Sequence, residues 1–198
     1  MPGAKTHDKI TVATGLALAP LTYLALLSQG PSPATAGVDT ALLVGAHLLS
    51  GIMFSPDLDI DSAIDNRWGI FYWIWRPYMW AVPHRSRQLS HGLIIPPLLR
   101  LFYFFTVLLL LFLGVTWALG QIGIVVPNYD VQAFNYLHDL VIAQPRATFL
   151  FLVGFITGGA AHSIADWLVT GGKHWLRRFG FRVTRNYSGH DQRRRYYH

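Results

Sequence analysis

Three carboxylates at alternate positions, Asp57, Asp59 and Asp61, follow directly on an apolar run. The ten acidic residues of the chain are all Asp, so three within five positions is a concentration rather than background. Oxygen-rich clusters of this kind hold hard cations or share a mixed site with imidazoles. A calcium-loop reading fails on register. With Asp57 at the first position, Ser62 stands where the loop needs glycine and Trp68 where it needs a bidentate glutamate. Further donors are His7 and Asp8 near the start, His84 and His91 in the middle, and His162 with Asp166 late in the chain. The sequence has no cysteine, which excludes disulfides and thiolate metal sites together. Any ion must therefore take nitrogen and oxygen ligands.

Distant donors need elements that bring them together. Hydrophobic residues make up 52% of the 198 and charged residues 13%, against about 25% charged in a typical soluble domain. That deficit makes lipid part of the solvent. Four apolar segments predict membrane helices, near residues 10–27, 38–54, 101–119 and 148–169. The third is free of charge throughout, and at ~1.5 Å per residue it spans about 28 Å, close to a bilayer core. The expected fold class is all-α, a polytopic membrane helical bundle of four transmembrane helices over residues 1–172, followed by a basic tail over 173–198.

Positive charge sorts the loops. Lys5 and Lys9 precede the first segment, and Arg67, Arg76, Arg85, Arg87 and Arg100 lie between the second and third. Lys173, Arg177, Arg178, Arg182, Arg185 and Arg193 to Arg195 follow the fourth, which leaves only Arg146 on the other side. By the positive-inside rule the protein is an integral, multi-pass membrane protein with both termini and the 55–100 region cytoplasmic. Every donor group named above then emerges at the cytoplasmic end of a helix. A secretory signal competes for the N-terminus, with Ala34-Thr35-Ala36 as a cleavage-like site. The apolar run is too long for one, and that site lies too far past its end. The Trp68–Trp80 stretch suits either an aromatic belt at the headgroup level or the core of a cytoplasmic cap, and Pro77 is expected to end any helix there. The basic tail suits contact with anionic lipid, at ~1 kcal/mol per basic residue near the surface. No module for specific nucleic-acid recognition is present.

Spacing supports a shared site. His162 and Asp166 stand at i, i+4, so both face one side of a helix. Gly158, Gly159, Ala160 and Ala161 just before them allow close helix approach. His47, inside the second helix, reads as a residue that bonds one helix to another, and His138, His174, His190 and His198 receive no role. The expected metal ligands are His7, Asp57, Asp59, His84, His91, His162 and Asp166. That exceeds what one tetrahedral zinc uses. Two divalent ions are therefore expected, zinc ahead of Mn, Fe or Mg, the alternative being that some donors orient imidazoles from behind. Asp59 is also expected to accept protons, and Arg85 to neutralise a phosphoryl oxygen through forked hydrogen bonds. No Gly-x-Ser-x-Gly elbow supports serine chemistry.

Thr6-His7-Asp8, Met53-Phe54-Ser55-Pro56-Asp57-Leu58-Asp59-Ile60, His84-Arg85-Ser86 with Ser90-His91-Gly92, and His162-x-x-x-Asp166 appear in this order. Together they resemble a family of uncharacterised metal-binding membrane proteins, which looks like a branch of the YdjM-type inner-membrane metal-dependent hydrolases. The resemblance implies a helical membrane protein whose His and Asp bind metal, with hydrolase activity. His84 and His91 stand farther apart than the paired histidines of the YdjM-type pattern. The leading expectation is a membrane-embedded hydrolase of phosphoesters at the cytoplasmic surface. The alternative is a non-catalytic metal-binding scaffold. Ion transport, which needs ligands near mid-membrane, has only His47 at that depth.

Overall fold

Apolar runs of this length can satisfy their backbone in lipid only as helices or closed barrels, and here they are helices. The computed structural model describes residues 4–59, 65–82 and 92–178, with side chains described for all of these except 57, 59, 65, 66 and 170–178. Helices α1 (Ala4–Leu27) and α2 (Pro33–Met53) come first, then α3 (Asp65–Trp68), a 3-10 helix over Gly69–Trp75, and α4 (Arg76–Ala81). Helix α5 (Ile95–Gln121), α6 (Tyr129–His138) and α7 (Pro145–Arg178) complete the chain as described. Four stretches are long and apolar enough to cross a membrane: α1, α2, α5 and the Pro145–Val169 part of α7.

Local chemistry sets the helix starts. Ser32 caps α2 by accepting the Thr35 N–H at 3.2 Å, with Pro33 in the first turn, where a missing backbone donor costs nothing. Pro96 and Pro97 open α5 in the same manner. Successive long helices run in opposite directions. The N-termini of α1 and α5, the C-terminus of α2 and the later turns of α7 consequently share one end of the bundle, here called the site end.

Glycine sets the central seam. A Cβ on Gly154 would run into the Leu43 carbonyl, and one on Gly158 into the carbonyl of His47. These two glycines, four apart, let α7 lie directly on α2, the close approach that small residues permit between membrane helices. Thr11 of α1 sits equally tight over Gly51 of α2, and Pro97 of α5 over Gly159 of α7. An aromatic core flanks the seam: Phe54 meets Trp68, Trp75, Phe104 and Phe155 edge-on, with ring centroids 5.2–5.6 Å apart.

Several expectations shift. The charge pattern puts His7 ahead of the first helix, whereas α1 already begins at Ala4. Arg100, counted with the loop, is a buried residue of α5. Pro77 sits in the first turn of α4 and so helps start a helix rather than end one, since the 3-10 turns close at Trp75. The stretch 120–147 contains α6 and a π turn over Asp139–Ala143. Helix α7 continues past residue 172 to Arg178.

Candidate metal centre

Three stripes with a four-residue step converge at the site end. On α1 the buried stripe is His7, Thr11 and Gly15. On α2 it is Leu43, His47 and Gly51, with Ser55 just beyond the helix end. On α7 the packing glycines Gly154 and Gly158 lead, in the same step, to His162 and Asp166. Residues four apart lie one above another on a helix face. The glycines that seat α7 on α2 therefore aim its next two turns at the start of α1.

The result is a sealed cluster. His7, His162 and Asp166 are exposed by only 3%, 1% and 4%. The two imidazole rings stack with centroids 3.6 Å apart and planes 9° from parallel. His7 Nε2 lies 3.3 Å from Asp166 Oδ1, and His162 Nε2 lies 3.7 Å from Asp166 Oδ2. One donor atom from each residue falls within 4.8 Å of the others, the one such cluster among the described residues.

Two reference spacings frame those distances. A charge-assisted His–carboxylate hydrogen bond would close to about 2.7–2.9 Å. Ligands held ~2.0–2.1 Å from one tetrahedral zinc stand roughly 3.3 Å from each other. The observed distances, 3.3 Å to Oδ1 and 3.7 Å to Oδ2, are longer than such a hydrogen bond and leave the three side chains close enough to hold one ion. His7 Nδ1 is also buried with no hydrogen-bond partner among the described residues. Two imidazoles and one carboxylate form a donor set that suits a borderline divalent cation, so the residues present fit such an ion.

The cleft beside this cluster, too narrow to admit a water molecule, is rimmed by Ala4, Asp8, Gly51, Ser55 and Arg67. Arg67 Nη2 donates to Asp8 Oδ2 at 2.6 Å, and Nη1 donates to the Ile52 carbonyl at 2.5 Å. Trp68 Nε1 donates to the Met53 carbonyl at 2.9 Å. The last carbonyls of α2, which have no partner within their own helix, are thus taken up by α3. Asp8, expected among the donors, pairs instead with Arg67, a residue whose sequence position suggested only a cytoplasmic loop.

The remaining expected residues divide. Asp57 and Asp59 belong to the 3-10 turn Pro56–Asp59, directly after the cleft residue Ser55. Their side chains, like Asp61, His84, Arg85 and His91, lie outside the described residues. His47 stands apart from the cluster and bridges three helices. Its Nε2 is 2.9 Å from Thr14 Oγ1 and 3.2 Å from the Thr11 carbonyl on α1, and its Nδ1 is 3.1 Å from Thr157 Oγ1 on α7. At the far end, Arg146 pairs with Asp39 at 2.7 Å, which ties α7 to α2 and gives the one outlying basic residue a structural task.

No curated protein and no solved structure matches this chain. Residues 2–176 match the model of one family, described as uncharacterized metal-binding protein (DUF2227). A membrane-type bundle that buries two histidines and an aspartate in one cluster agrees with that description, and the chain belongs to this family.

Proposed function

We propose that the protein is a membrane-embedded, metal-dependent hydrolase acting on phosphoesters at the cytoplasmic membrane surface. One observation carries the reading: His7 from the first helix and His162 with Asp166 from the last meet at ligand spacing in one buried cluster beside a cleft. Three protein ligands are the hallmark of catalytic rather than structural zinc sites, which keep a position open. When bound, a divalent cation supplies Lewis acidity and brings the pKa of its water toward ~7. Arg67, the one cation lining the cleft among the described residues, places positive charge beside the cluster. Arg85 and Asp59 retain their proposed roles as phosphoryl clamp and proton acceptor. A second ion would draw on Asp57, Asp59, His84 and His91, and zinc remains the first choice of metal. Hydrolysis as the reaction class rests on the motifs' resemblance to the YdjM-type inner-membrane hydrolases, which the family match does not itself extend to.

The near-complete burial of the cluster favours a second reading, in which the ion clamps α1 to α7 and nothing turns over. Metal would then stabilise the fold by mass action, by about 4 kcal/mol at a thousandfold excess over Kd. To separate the two, the protein is purified in detergent and its metal content measured. Phosphomonoesters and phosphodiesters are then assayed with wild type and His162→Ala. The hydrolase reading predicts turnover that a chelator and His162→Ala both abolish. Bound metal and a chelator-sensitive melting temperature, with no turnover across the panel, would establish the clamp instead.

A further inference from the structure

We infer that the Gly69–Ala81 segment lies in the headgroup layer of a phospholipid membrane, with one face on the bundle and the other in lipid. A 3-10 helix repeats every three residues, so Tyr72, Trp75 and, after the junction with α4, Tyr78 fall on one side. All three are buried, and Trp75 has no exposed surface. Trp75 stacks on Phe104 of α5 with planes 8° from parallel, and the Tyr103 hydroxyl donates to the Ile74 carbonyl. The segment is thereby pinned to the flank of α5.

Its opposite face carries Ile70, Phe71, Trp73 and Trp80, all exposed, with Trp80 at 89%. Four large apolar side chains within a dozen residues form a patch that water does not favour and that marks an interaction surface. Lipid is the occupant that fits. The segment docks on α5 at Tyr103, where the helix passes from the charged Arg100 into the uninterrupted apolar run Leu101–Leu119. Phe102, Phe105 and Leu108 of that run are also exposed, so the patch continues onto a surface built for hydrocarbon. Tryptophan concentrates at this boundary because its ring is apolar and its N–H is polar. Exposed Arg76, with its guanidinium 5.4 Å from the Tyr72 ring centroid, supplies the positive charge that complements lipid phosphate. Because Arg67 and Trp68 lead straight into the segment, this placement sets the cleft mouth at headgroup level. The inference needs no assumption about metal.

The chain lacks cysteine, so single-cysteine spin labels can be added without removing native thiols. Trp73→Cys and Trp80→Cys are labelled with a nitroxide and reconstituted into vesicles of phosphatidylethanolamine and phosphatidylglycerol. Collision with oxygen is then compared with collision with an aqueous nickel chelate. Leu110→Cys on the exposed side of α5 serves as the hydrocarbon reference and Gln29→Cys in the α1–α2 turn as the water reference. Phe71→Cys replaces either variant that fails to insert. The expected result is an oxygen-to-nickel ratio between the two references, corresponding to roughly 5–10 Å of insertion. A ratio equal to that of Gln29→Cys would overturn the inference. So would an immobilised label shielded from both reagents, which would mean a protein partner or a second copy covers the patch.

Discussion

His47 and His162 are both nearly sealed from solvent on the same three-helix seam, yet they keep different company. His47 is surrounded by threonine hydroxyls and one carbonyl at 2.9–3.2 Å, ordinary hydrogen-bond distances. Hydroxyls can donate or accept, so either tautomer of His47 finds partners. His162 instead faces a second imidazole stacked on its own ring and a carboxylate 3.7 Å away. A buried histidine in a helical bundle is therefore not in itself a ligand. Partner type and distance make the distinction: His47 holds helices together, and His162 stands in the candidate metal cluster.

The seam that both histidines share offers the most severe way to break the contrast. Gly158→Leu would drive a side chain into the His47 carbonyl, at a cost beyond the ~1–3 kcal/mol of ordinary overpacking because backbone cannot repack. Loss of folded protein is expected in a detergent melt, whereas Gly37→Leu, at a position with open space around it, should melt near wild type. Next in size, His162→Ala should weaken metal binding by more than about 100-fold in equilibrium dialysis, the upper range for residues that merely orient ligands. His47→Leu should do the reverse, lowering stability by about 1–2 kcal/mol, the upper range for polar contacts between membrane helices, while metal content stays unchanged. The smallest effect belongs to the cleft rim. The Arg67–Asp8 pair is partly exposed, so Arg67→Met should cost no more than about 1 kcal/mol.

The four membrane-type helices were legible because hydropathy is a local property that each segment carries by itself. Alternating helix direction then follows from sorted charge, and that was enough to expect His7, His162 and Asp166 at one end. What stayed hidden depends on contacts between segments. The small-residue run at Gly158 to Ala161 suggested close packing, but only the α2 partner shows that Gly154 and Gly158 do the seating while Gly159 faces Pro97. Arg67 is one of several arginines in its region, and nothing in sequence singles it out as the partner of Asp8. Pro77 looked like a helix breaker because the 3-10 turns before it, whose period of three hides the inward Tyr72 and Trp75, were not anticipated. The exposed α6 fell below notice because it buries no residue that would impose a pattern.

The central claim is that His7, His162 and Asp166 bind one divalent cation while His47 does not. Its most direct test is X-ray absorption at the metal edge on protein loaded with zinc, comparing wild type with Asp166→Asn and His47→Gln. The account predicts an imidazole-rich nitrogen and oxygen shell at about 2.0–2.1 Å, unchanged by His47→Gln and lost or altered by Asp166→Asn. A spectrum indifferent to Asp166→Asn, or one that changes only with His47→Gln, would contradict it.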